Sequence, residues 1–215
     1  NEEEKDNFWE LLSLEKYSSE EIAKDFQNDI QTPFSQAEEK AVLAIQKHSM
    51  NINGKEENPI MDEAYLLLGK ARYYDQRFIP SLEAFNYILF KYPSSQYINH
   101  VKIWKEKINI RLGQSETAII NLKELILDNK LENNDLAEAN IYLAQAYINT
   151  KSKDSAIPCL KTARSLINEK PIKARYNYIL GQLYDNFKYK DSANTLYDEN
   201  INYKRKIPRE FLIHS

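Results

Sequence analysis

The sequence contains very little cysteine and glycine, and it has no long apolar run. Its 215 residues include a single cysteine, Cys159, which excludes an internal disulfide framework and a cysteine-rich zinc site. Only four glycines occur, and none forms a glycine-rich loop of the kind that binds phosphates. Apolar runs last a few residues, as at 65–68, whereas a membrane-spanning helix needs about 20. The sequence therefore indicates neither a disulfide scaffold, nor a phosphate loop, nor a spanning helix.

Signals for catalysis or for metal and nucleic-acid binding are equally scarce. The net charge of -3 argues against general nucleic-acid binding, which needs a clustered basic excess. The three histidines, His48, His100 and His214, lie far apart in the sequence without metal-ligand spacing. No nucleophile-elbow or zinc-protease motif occurs, and no carboxylate pair stands out as acid and base. We therefore predict no catalytic residue, no cofactor and no metal.

The residues that are abundant favour helices. Few glycines and prolines stand beside many Leu, Ile, Ala, Lys and Glu, which is typical of an all-helical chain. A repeated pattern then organises the sequence. The 34-residue tetratricopeptide pattern, two helices A and B joined by a turn, has large residues at places 4, 7 and 24, small ones at 8 and 20, and proline at 32. The first repeat fills these places with Tyr65, Leu68, Gly69, Ser81, Phe85 and Pro93, whereas Arg72 departs from the aromatic expected at place 11.

Small residues at place 20 set the period of the repeat. They are Ser81, Ala118, Ala156 and Ala193, and they recur at steps of 37, 38 and 37 residues. We expect helix A to cross helix B at places 8 and 20, where small side chains let two backbones approach. The spacing predicts helices near 62–75, 80–92, 97–112, 115–129, 136–150, 154–168, 172–186 and 190–203. The predicted fold is an all-α, right-handed superhelix of tetratricopeptide-type helical hairpins.

The predicted organisation has four segments. Residues 1–34 form an N-terminal arm or capping segment, with short helices expected near 8–12 and 20–29. Residues 35–58 form a degenerate repeat helix and a loop. Residues 59–206 hold about four repeats, and 207–215 begin a further helix that the sequence truncates, so we expect the chain to be part of a longer protein.

One stretch carries a more specific resemblance. Residues 37–55, AEEKAVLAIQKHSMNINGK, lead into 62–78, DEAYLLLGKARYYDQRF, and Phe8-Trp9 precede them. These residues resemble the SprE/PorW family of gliding-motility lipoproteins in the type IX secretion system of Bacteroidetes. The resemblance covers most of residues 8–93. It implies a periplasmic lipoprotein, attached to the outer membrane by an anchor outside this chain, that joins the periplasmic ring of the machine to the outer-membrane translocon.

The concave side of such an array, lined by the A helices, is the predicted partner-binding surface. Places 5, 9, 12 and 13 supply a mixture of aromatic, aliphatic, amide and basic side chains, which suits a peptide or a partner helix. The alternative is that several of these aromatics pack against neighbouring helices. The predicted contact residues are Leu66, Lys70, Tyr73, Tyr74, Ile103, Lys107, Arg111, Ile141, Gln145, Tyr178 and Gln182.

The functional prediction is a non-catalytic scaffold or adaptor with protein partners, in type IX secretion and gliding. Place 9 reads Lys70, Lys107, Gln145 and Gln182, and place 5 carries no lysine or asparagine, so the carboxylate clamp of chaperone adaptors is absent. Two alternatives stay open at this point: another envelope adaptor built from the same repeats, or the interaction module of an enzyme whose catalytic domain lies outside this chain.

Overall fold

A computed structural model describes residues 10–12, 14, 32–49, 51–52, 55–56, 60–128 and 130–215. The helix predicted near 20–29 lies outside these residues, as does most of the predicted arm. The described residues fall into two compact units, one reaching Gly113 and the other beginning at Gln114 and including the N-terminal residues 10–12 and 14. Within the described residues, no helix is long and apolar enough to span a membrane.

Unit 1 is built from four helices and a two-residue hairpin. Helix α1 packs on α2, α2 on α3 and α3 on α4. The short strands pair antiparallel, Asn51 with Glu56 and Ile52 with Lys55. The elements are α1 (Pro33–His48), β1 (Asn51–Ile52), β2 (Lys55–Glu56), α2 (Met61–Tyr74), α3 (Phe78–Lys91) and α4 (Ile98–Arg111).

Unit 2 continues the series of helices. Helix α5 packs on α6, α6 on α7, α7 on α8 and α8 on α9. Its elements are α5 (Ser115–Leu127), α6 (Asn133–Asn149), α7 (Lys153–Leu166), α8 (Lys170–Asn186), α9 (Lys190–Tyr203), a 3-10 turn (Lys204–Lys206) and α10 (Arg209–His214). All eight predicted helices are present, with each end within three residues of its predicted position. The predicted all-α fold of tetratricopeptide type is confirmed; the division into four segments stays a prediction.

The crossing of α2 and α3 is built as the repeat pattern predicts. Gly69 and Ser81 are both buried, and the Ser81 hydroxyl donates a hydrogen bond of 2.7 Å to the Gly69 carbonyl. The ring of Phe85 fills the space above Gly69 and is completely buried. A glycine is needed here because a Cβ at position 69 would lie 2.5 Å from Cε1 of Phe85. Close approach of two backbones thus fixes the small residues in the pattern.

Arg72, the departure at place 11, ties α1 to the hairpin. Its Nε donates to Glu38 on α1 at 2.9 Å, and its Nη1 donates to the Pro80 carbonyl at 3.1 Å. Arg77 also pairs with Glu38. The apolar side of α1 meanwhile packs Ala41 against Leu68 of α2. Helix α1 therefore covers the face that the first hairpin leaves open, and Arg72 is the polar latch of that contact.

Left-handed residues mark the turns that follow the A helices. Gln76 (φ 59°), Gly113 (φ 78°), Lys151 (φ 63°) and Lys188 (φ 63°) all have positive φ. Their positions repeat the steps of 37, 38 and 37 residues found at place 20. Each lies five residues before the place-20 residue, so the turn geometry and the helix crossing belong to one repeating unit. A side chain with a Cβ is strained in this conformation, whereas glycine is not.

These turns allow a prediction in which a side-chain clash plays no part. A Cβ added at Gly113 would meet no atom within 4 Å, so Gly113→Ala introduces backbone strain alone. We expect it to lower the free energy of unfolding by about 1 kcal/mol. Lys151→Gly should raise it by roughly 0.5 kcal/mol, because relief of strain exceeds the added entropy of the unfolded chain. Urea unfolding measures both changes, and equal signs for the two variants would contradict this account.

Candidate functional site: the A-helix faces of the two units

In unit 1, four predicted contact residues gather around an indole ring. Lys107 lies on α4 with its Nζ 4.0 Å from the centroid of the Trp104 ring and 4.4 Å from that of Tyr73. Tyr74 stands edge-on to the Trp104 ring at 5.8 Å, and Lys70 Nζ lies 5.1 Å from the same ring. We call Lys70, Tyr73, Tyr74, Trp104 and Lys107 the aromatic cluster. Its rings present their negative faces to two ammonium groups.

The cluster is partly core and partly surface. Tyr73 is 3% exposed and belongs to the same buried group as Leu66 and Phe85. Lys107 is also 3% exposed, so its ammonium is largely removed from water, and the surrounding rings offset part of that cost. Tyr74, by contrast, is 44% exposed and stacks on Phe34 of α1 at 5.5 Å. A partner approaching this face of unit 1 would meet Tyr74 first.

In unit 2, two glutamines at place 9 of successive repeats bind a piece of the chain's own backbone. Leu12 N–H donates to Oε1 of Gln182 at 3.1 Å, and Nε2 of Gln182 donates to the Glu10 carbonyl at 2.5 Å. Leu14 N–H donates to Oε1 of Gln145 at 2.9 Å. We call residues 10–12 and 14 the strap. The predicted helix at 8–12 is wrong for residues 10–12, because these amides bond to glutamine side chains instead of to a helical backbone.

The glutamine on α6 is itself held in place. Nε2 of Gln145 donates to Oδ1 of Asn149 at 2.8 Å, and Nδ2 of Asn149 donates to the Ser115 hydroxyl at 3.2 Å. With its amino group used in this way, Gln145 turns its carbonyl oxygen toward the strap. Leu12 and Leu14 are both buried, at 5% and 3% exposure. The face of unit 2 thus combines fixed amide groups with burial of two apolar side chains.

Tyr178, another predicted contact residue, is covered within unit 2. Its ring packs against Phe211 of α10 at 5.9 Å and against Tyr197 of α9 at 5.5 Å. Burial, together with the negative charge of Asp185, raises the pKa of Tyr178. Tyr178 therefore serves the packing of α10 on α8, and its truncation would disturb that packing.

A buried polar network joins α7, α8 and α9 away from the strap. Asn177 and Asn200 are completely buried, and Nδ2 of Asn177 donates to Oδ1 of Asn200 at 3.0 Å. Arg164 bonds to both Asn177 and Glu199. Burial pushes the pKa of Glu199 up, but the hydrogen bond from Tyr203 and the charges of Arg164 and Lys173 outweigh it, so that this pKa is lowered. The same contact, added to burial, raises the pKa of Tyr203 to about 12. The network fixes how the last repeat packs.

The remaining predicted contact residues are more buried than a free surface would be. Leu66, Ile103 and Ile141 are buried, and Arg111 places its guanidinium 5.0 Å from the ring of Phe78. The alternative of aromatics packed against neighbouring helices thus describes Tyr73 and Tyr178. Direct contact of the eleven residues with a partner stays a prediction.

Sequence reasoning missed three participants. Trp104 lies at place 6, which the repeat pattern leaves unspecified, and its neighbours at places 5 and 9 drew the attention instead. Leu12 and Leu14 lie in a stretch too short to show a period. The signal that was present is the alternation of Leu12 and Leu14 around Ser13, which is typical of an extended segment with one apolar face.

Comparison with known proteins supports the fold. No protein-family profile matches the chain, and no curated protein does. Among solved structures, the chain is similar to "MamA RS-1 ArsTM double mutant", with a TM-score of 0.55 and 14% identity, over 82% of this chain and 97% of that one. MamA is a tetratricopeptide-like helical solenoid protein, so the likeness agrees with the helical hairpins described above.

Proposed function

We propose that this protein is a non-catalytic scaffold that binds protein segments on the A-helix faces of its repeats. The fold supports this proposal, because each hairpin leaves a face of helix A open and arrays of this kind use that face to bind partners. The tetratricopeptide-like architecture of MamA supports the same class of function.

The observation that carries the proposal is the strap on unit 2. A face that holds the backbone of residues 10 and 12 through Gln182, and that of residue 14 through Gln145, has the chemistry to bind a polypeptide. Backbone recognition by side-chain amides provides affinity for an extended chain, much as an added β-strand gains it from main-chain hydrogen bonds. No metal, nucleotide or reacting carbonyl is needed for such a role.

We further propose that the scaffold acts in type IX secretion and gliding, as a periplasmic lipoprotein held at the outer membrane. The support is the resemblance of residues 37–55 and 62–78 to the SprE/PorW family. The partners would then be components of the secretion ring and of the outer-membrane translocon. Another envelope adaptor, or an enzyme's interaction module, would share the fold but not these partners.

The exposed tyrosine of the aromatic cluster provides the test. Tyr74→Ala should weaken partner binding by about 1–4 kcal/mol, as truncation of an aromatic anchor does. Its cost in stability should stay below about 1.5 kcal/mol, since it removes ring contacts with Phe34 and Trp104 at the surface. Secretion and gliding are measured in cells that carry only the variant, with the melting temperature of the purified chain as the check on folding.

The matched control is Phe90→Ala, which removes an 84% exposed aromatic from α3, a B helix of the same unit. It should leave secretion, gliding and stability unchanged, since exposed substitutions stay within about 0.5 kcal/mol. Normal secretion and gliding by Tyr74→Ala would remove this face from the proposed function. Equal loss in both variants would show that the effect is not specific to the aromatic cluster.

A further inference from the structure

The strap is bound mainly through groups that any polypeptide possesses. Gln182 bonds to the carbonyl of residue 10 and the N–H of residue 12, and Gln145 bonds to the N–H of residue 14. None of these three hydrogen bonds involves a side chain of the strap. The side-chain requirement is for two apolar groups, at positions 12 and 14, that become buried.

The spacing of the two glutamines explains why an extended segment fits. Gln145 and Gln182 occupy the same place on α6 and α8, the A helices of successive repeats. Residues two apart in an extended chain lie about 7 Å from each other and direct their N–H groups to the same side. Consecutive N–H groups of that side, at positions 12 and 14, therefore reach consecutive repeats. This register would recognise other extended segments with apolar residues at the same two positions.

Gln145 and Gln182 are also members of the predicted partner-binding face. Their hydrogen-bonding oxygens are occupied by the strap, and a partner segment using the same groups would have to replace it. The strap and such a partner therefore exclude each other.

We propose that the strap is an intramolecular occupant of the partner site of unit 2. It is displaced by an extended partner segment that carries apolar residues two positions apart and offers free backbone N–H groups there. This inference rests on the proposed scaffold function and adds the regulation of one of its sites. In chemical terms the site takes an unstructured or edge-strand segment of a protein, not a folded helix, because the N–H groups of a helix interior are already bonded.

The covalent tether sets the size of the effect. A tethered segment competes at an effective concentration in the millimolar range, so even a weakly bound strap occupies the site most of the time. If the site is free in about 1–10% of molecules, the apparent affinity for a partner segment falls by about 10- to 100-fold. Releasing the strap should restore that factor.

The test uses the full chain and a labelled peptide with the sequence of residues 8–16, FWELLSLEK. Binding is followed by fluorescence anisotropy for the wild type and for Leu12→Asp/Leu14→Asp, which places two charges where burial is required. We expect the double variant to bind the peptide at least about tenfold more tightly than the wild type. The matched control, Leu67→Asp/Leu127→Asp, adds the same charges at two exposed leucines and should bind like the wild type.

Two further arms examine how the site recognises the peptide. Gln145→Leu/Gln182→Leu in the released variant should abolish binding, and so should N-methylation of the peptide at the leucines corresponding to positions 12 and 14. Equal affinity of wild type and released variant, or binding that survives N-methylation, would overturn the proposal. A strap exchanged between two chains, seen as a wild-type dimer that the released variant loses, would overturn it in favour of a second copy.

Hydrogen exchange covers the case in which the released variant fails to fold. In the wild type the amides of Leu12 and Leu14 should be protected, and excess peptide should speed their exchange while the amides of α6 and α8 stay protected. Unchanged exchange at saturating peptide would refute displacement. These measurements need no secretion machinery, so their failure leaves the Tyr74 result standing, and failure of the Tyr74 test leaves these measurements valid.

Discussion

Gly69→Leu should lower the free energy of unfolding by about 3 kcal/mol, at the upper end of what overpacking costs. The Cβ alone would lie 2.5 Å from Cε1 of Phe85, and that ring is completely buried between α2 and neighbouring helices. Neither the ring nor the backbone can move away without opening the α2–α3 crossing, where Ser81 bonds to the Gly69 carbonyl. Urea denaturation of the purified chain measures the change.

Gly181 provides the matched comparison. A Cβ there would contact the ring of Tyr197, which is only half-buried and ends in a hydroxyl bonded to Asp185 at 2.9 Å. Because this ring can move toward solvent, we expect Gly181→Ala to cost less than Gly69→Ala. Phe85→Leu should recover part of the loss in a Gly69→Ala background, as expected for two residues in direct contact. Equal costs at both glycines would show that burial of the opposing ring does not decide the effect.

Asn177→Leu should destabilise the last repeat by about 2–3 kcal/mol. The substitution leaves Oδ1 of the buried Asn200 without the donor it has now, and it removes the acceptor that Arg164 uses. A buried polar group deprived of its partner costs about 1–3 kcal/mol, and more when a charge is involved. Thermal unfolding followed by circular dichroism reports the loss.

The double variant Asn177→Leu/Asn200→Leu separates pairing from packing. Removing both partners of a buried hydrogen bond is much less costly than removing one. The double variant should therefore lose less stability than the two single variants added together. Asn202→Leu, at an exposed position of the same helix, should stay within about 0.5 kcal/mol of the wild type. Strict additivity of the two buried substitutions would contradict a shared hydrogen bond.

Only part of the candidate site was accessible to sequence reasoning. The repeat pattern correctly selected Lys70, Tyr73, Tyr74 and Lys107, which the structure brings together, because residues three or four apart share one side of a helix. It did not select Trp104, since place 6 has no rule. It also identified Arg72 as a departure, but the reason, a carboxylate on α1, lies 34 residues away in the sequence.

The strap shows most clearly where sequence reasoning ends. Its hydrogen bonds join residues 170 and 131 positions apart, and no periodic signal connects such distant positions. A short apolar alternation in residues 10–14 fits several local conformations, and the competing helical prediction was wrong for the part that is described. Glutamine side chains on α6 and α8 decided the matter by bonding to the backbone.

The sequence by itself determined the helices, their period and the small residues at the crossings. These follow from local sterics: apolar spacing selects helices, and a Cβ at Gly69 has no room beside Phe85. Only the tertiary structure decided which lining residues are exposed, because exposure depends on what a distant part of the chain covers. Tyr74 remains open to solvent, Tyr178 lies under Phe211, and Gln182 holds the strap. These three residues lie on equivalent A-helix faces in the repeat pattern, and packing from other segments gives each a different role.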